Sequence, residues 1–69
     1  MKVIRIRADE LMAGDHIVVK EGTIRKYFHV CEVEIDNLEG TVSYIYNARG
    51  KFVHVDGIKQ TDILQVREE

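Results

Sequence analysis

The chain has 69 residues, of which 45% are hydrophobic and 32% charged, with 12 acids against 10 bases and a net charge of −2. That length allows one domain, and the hydrophobic share excludes a disordered segment, which combines low hydrophobicity with high net charge. The acidic excess gives no overall attraction to phosphate, and a lone cysteine, Cys31, excludes an intrachain disulfide.

The first stretch, "KVIRIR" (2–7), alternates, with Ile4 and Ile6 on one face and Arg5 and Arg7 on the other, which predicts a strand. It lacks the continuous apolar core of a signal peptide, and no apolar run approaches the roughly 20 residues that span a bilayer, so a cytoplasmic location is expected. Next comes "ADELMAGDHIVVK" (8–20). "DELM" predicts a single helical turn with Asp9 as N-cap, ended by Gly14. Asp15 is placed to accept backbone N–H groups of the turn, and Leu11 or Met12 to plug the core beneath it. "HIVVK" (16–20) predicts a second strand with Ile17 and Val19 inward.

"TIRKYFHVCEVEI" (23–35) is the longest run. Phe28 and Val30 share one parity, while Cys31, Val33 and Ile35 share the other, so the inward face switches near Val30 and Cys31. One extra residue flips strand parity, which predicts a β-bulge there. "TVSYIYN" (41–47), "KFVHV" (51–55) across the Arg49-Gly50 hairpin, and "DILQV" (62–66) complete the strands. "KQTD" (59–62) predicts a second single turn, of 3₁₀ type. Glycines at 14, 22, 40, 50 and 57 punctuate these runs, which suits a small all-β barrel.

The run "ADELMAGDHIVV" resembles the "ELxxGDxI" pattern of SH3-like barrels, among them the amino-terminal domain of bacterial elongation factor P and small barrel proteins of bacteria and phages. "YFHVCEVE" (27–34) is similar to their following strand. The resemblance implies an all-β, SH3-like barrel of five to six short strands with one or two single helical turns, covering 1–69. Nothing matches the basic loop that elongation factor P presents for lysine modification, so that factor's function is not implied.

Chemistry-bearing residues are sparse. His29 with Cys31, and His54 with Asp56, each share a strand face; if those strands paired, the four would meet as metal ligands. Cys31 as a small buried hydrophobe is the simpler reading, and no metal or cofactor is expected. A Cys–His nucleophile fails on spacing, since residues two apart on a strand lie about 6.5–7 Å apart, so no catalytic residue is assigned. Arg25, Lys26, Tyr27, Tyr44, Tyr46, Arg49 and Lys51 form a basic and aromatic set of the kind that holds single-stranded nucleic acid. Tyr44 and Tyr46 alternatively complete a core face with Val42. Glu32, Glu34, Asp36 and Glu39 form an acidic group, read as a solvated face or a dock for a basic partner. The expectation is a non-catalytic binding module contacting a protein partner or a second copy of itself, with nucleic-acid or nucleotide binding through the basic and aromatic set as the alternative.

Overall fold

The computed structural model describes residues 2–68. It is all-β: six antiparallel strands in one sheet, ordered β1-β6-β2-β3-β4-β5. The strands are β1 (Lys2–Arg7), β2 (His16–Glu21), β3 (Ile24–Asp36), β4 (Thr41–Ala48), β5 (Lys51–Lys59) and β6 (Ile63–Glu68). β2 to β5 form a meander of hairpins, and the last strand inserts between β1 and β2. β1 and β5 are the edges and do not pair with each other, so the ladder is open. No helix is long and apolar enough to cross a membrane among the described residues.

The expected parity switch lies where the apolar pattern puts it. Val30 pairs with Tyr46 and Glu32 with Ile45, leaving Cys31 as the extra residue of a bulge. Val30 is fully buried and Cys31 exposed. Past the bulge, Val33 turns inward while Glu32 and Glu34 face out. A second bulge lies opposite Ser43, where Tyr44 pairs with Val55 and Val42 with Ile58. It absorbs Asp56 and Gly57, and Gly57 takes φ +72, which suits a residue without Cβ. "DG" is therefore a kink inside β5 rather than the end of a strand, and β5 runs on to Lys59.

The single helical turn is a 3₁₀ segment, Ala8–Glu10, capped two residues earlier than the sequence suggests. Arg7, not Asp9, is its N-cap: the Arg7 N–H donates to Glu10 Oε1 at 2.9 Å. Asp9 instead binds the Arg7 guanidinium, with contacts of 2.9 and 3.1 Å. The "KQTD" segment is a plain turn closed by the Asp62 N–H on the Lys59 carbonyl at 3.0 Å, not a 3₁₀ helix.

Leu11, 3% exposed, plugs the core with Ile17, Val30, Tyr44 and Val66, while Met12 points to solvent. Asp15 does two things. Its carboxylate accepts the Met12 N–H at 2.9 Å, and its backbone carbonyl accepts the Val30 N–H at 2.8 Å. The Gly14 N–H donates to the Val30 carbonyl at 2.9 Å, so the turn clamps β3 at its bulge. Gly14 has φ +98, and a Cβ there would meet nothing within 4 Å. The cost of a side chain is therefore backbone strain, not collision. Gly14→Val is expected to lower stability by about 1–3 kcal/mol, measured by urea denaturation, without removing any binding group.

Candidate binding surface

The basic and aromatic set does not form one patch. Strand alternation separates Arg25, Lys26 and Tyr27. Lys26 turns inward to the end of the sheet, where Nζ lies 2.7 Å from the Glu21 carboxylate. That hydrogen bond and the Lys26 charge, with a smaller contribution from Arg49, hold the Glu21 carboxyl below its ordinary range. Arg25 and Tyr27 face out on β3, opposite Lys20 and Val18 of β2.

Of the two tyrosines of β4, Tyr44 is buried in the core and Tyr46 is half-buried against it. Tyr44 is 7% exposed and packs with Leu11, Ile17, Val30 and Val66. Burial, and secondarily the neighbouring Tyr46, push its hydroxyl above the ordinary value of 10.0. Tyr46 stacks on Phe28 with ring centroids 5.4 Å apart and lies 6.2 Å from Tyr44. Apolar partners on the inward face decide this: Tyr44 pairs with Val33 and Val55, and Tyr46 with Val30 and Val53.

Arg49 and Lys51 remain at the surface, on the β4–β5 hairpin. Arg49 adopts φ +56, and the Asn47 side chain accepts the Gly50 N–H at 2.8 Å. Together with Glu21, Phe28 and Ala48 they line an open concavity of about 280 Å³. It is open to solvent and does not enclose a ligand-sized space.

The strands carrying His29 and His54 are not partners, because β4 lies between them. His29 sits opposite Asn47, and His54 opposite Ile45. The convergence of His29, Cys31, His54 and Asp56 thus lacks the pairing it required. No group of three or more His, Cys, Asp or Glu side chains arranged to hold a metal ion occurs among the described residues. Instead His29 meets His16, edge to face, at 5.5 Å.

The structure also assembles a surface that sequence reasoning missed. The Arg67 guanidinium lies over the Tyr27 ring, 5.4 Å from its centroid. Lys20 stands opposite Arg25 across the β2–β3 hairpin. The hairpin pairing was open to a reader who centred the turn on Gly22-Thr23. The approach of Arg67 was not, because it depends on β6 inserting beside β2. On the other side of the Cys31 bulge the outward residues are acidic: Glu32, Glu34 and Asp56 flank Ser43, Ile45 and His54 around a cleft of about 120 Å³. No family model, no curated protein and no solved structure matches the chain.

Proposed function

We propose that this chain is a small SH3-like barrel acting as a non-catalytic binding module, which takes an extended segment of a protein partner along the edge strand β5. The barrel reading is supported by the core: one cluster gathers residues of β2, β3, β4 and β6, which a flat sheet would spread over about 15 Å. Two bulges supply the bends that such a curl needs.

The observation that carries the binding role is the free side of β5. This strand is nine residues long and pairs only with β4 among the described residues. A free edge offers main-chain hydrogen bonds to an added strand, and alternate side chains select its sequence. Phe52, on this edge, is 66% exposed and offers a large apolar side chain to a docked segment. At the far end, the bulge at Asp56 and Gly57 twists the edge away, which confines docking to Lys51–Val55.

Photocrosslinking tests this. With p-benzoylphenylalanine in place of Phe52, the protein in its native cells is expected to form a discrete protein adduct. The same probe in place of Leu38, a 98% exposed turn residue, forms none. Equal labelling from both positions, or no protein adduct from position 52, contradicts the reading.

A further inference from the structure

The net charge of −2 conceals a sharp division of the outward sheet surface. On β1, β6, β2 and the first half of β3, inward positions are set by Ile4, Ile6, Leu64, Val66, Ile17, Val19 and Phe28. The alternate positions of these strands therefore face out. They hold Arg5, Lys20, Arg25 and Arg67 and, among the described residues, no aspartate or glutamate. At the border of this region Asp9, which belongs to the 3₁₀ turn, engages Arg7.

The ladder makes these residues contiguous. Lys20 lies opposite Arg25, and Tyr27 follows Arg25 on the same face. Arg67 covers Tyr27, and Arg5 lies diagonally across the β1–β6 ladder from Arg67, which is opposite Val3. With about 7 Å between same-face neighbours along a strand and about 4.8 Å between strands, Arg25 and Arg5, three strands and one such step apart, lie roughly 16 Å from each other. That matches the reach of three to four phosphates of an extended single strand. Aromatic surface interrupts the cations: Tyr27, and the edge-to-face pair His16 and His29 beside it.

We propose that this face binds single-stranded nucleic acid, with Arg5, Lys20 and Arg25 contacting phosphates and Tyr27, backed by Arg67, taking a base. Charge complementarity selects a polyanion. Stacking selects a single strand over a duplex, since Tyr27 can take only a base that is free of a duplex stack. The acidic residues beyond the Cys31 bulge exclude phosphate there and confine the strand to this half. This surface is separate from the β5 edge, so it stands or falls independently of the protein-binding role.

The experiment is fluorescence anisotropy with a labelled single-stranded 20-mer of mixed sequence. Binding is expected at 50 mM salt and is expected to weaken about 20- to 50-fold at 200 mM, from roughly 0.7 counterions released per phosphate for three to four phosphates. Lys20→Gln with Arg25→Gln abolishes most of that salt dependence, and Tyr27→Ala weakens binding about tenfold. Arg49→Ala with Lys51→Ala, on the other side of the sheet, leaves binding unchanged. Circular dichroism establishes that each variant is folded, and Lys20→Ala alone serves if the double variant is not. The proposal is overturned by absence of binding at 50 mM, by binding that survives the Lys20 and Arg25 changes, or by loss on the Arg49 and Lys51 changes. Equal binding to phosphatidylserine vesicles also overturns it, since a generic anion surface would then suffice.

Discussion

Val30→Asp is expected to unfold the protein at 25 °C, whereas Cys31→Asp, one residue further on, leaves it folded. Val30 is completely buried, and both of its backbone polar groups are held by the Gly14–Asp15 turn. The strand cannot rotate that side chain outward without breaking both bonds. An unpaired carboxylate in such a place costs several kcal/mol even after relaxation. The whole domain is expected to hold only about 3–10 kcal/mol, at ~0.05–0.15 kcal/mol per residue. Cys31 is the bulged, exposed residue, so its replacement stays within about 0.5 kcal/mol. The dispersion of amide NMR signals separates the two outcomes. A folded Val30→Asp protein would mean that the parity of β3 does not switch at this point.

The second large effect is expected at Tyr44. Tyr44→Ala removes the largest side chain of the buried cluster and opens a cavity against Leu11, Ile17, Val30 and Val66. Truncating a buried aromatic costs about 3–5 kcal/mol, so most of the stability of so small a domain goes with it. Tyr44→Phe keeps the packing and stays close to wild type. The check is the urea midpoint of each variant. If Tyr44→Ala retained the wild-type midpoint, the tyrosine would be a surface residue and its place among base-stacking groups would be restored.

The strands were legible because their chemistry is local. Alternation in "KVIRIR" and the two parities of "YFHVCEVEI" report which side each residue buries, and the Cys31 bulge follows from their conflict. The Gly14–Asp15 corner was legible for the same reason, since φ +98 and an Asx-type bond are demands on two residues alone. Helical caps were less so: Asp9 is a good N-cap by type, but Arg7 already lies opposite Ile63 in the β1–β6 ladder, and pairing set the boundary. The surface was least legible. "RKY" reads as one basic cluster, yet a strand sends Lys26 one way and Arg25 and Tyr27 the other. Tyr44 and Tyr46 turn inward because β5 and β3 bring valines to either side of them. Arg67 joins Tyr27 only through the β2–β6 pairing, between residues about fifty apart in the chain.

The insertion of β6 between β1 and β2 also governs how the molecule is made. Strands β2 to β5 can zip as successive hairpins with short loops, each closing at little entropic cost. Among the described residues β1 pairs only with β6, and the outer side of β2 only with β6. Both must wait for Ile63–Glu68, and Val66 completes the cluster that holds Leu11. Docking of β1 and β6 onto the meander is therefore expected to be a late step, since non-local pairing is slow to form. Until that step is over, the apolar flanks of β2 stand open beside the already free edge of β5, and the half-built sheet has two sites at which to meet another chain.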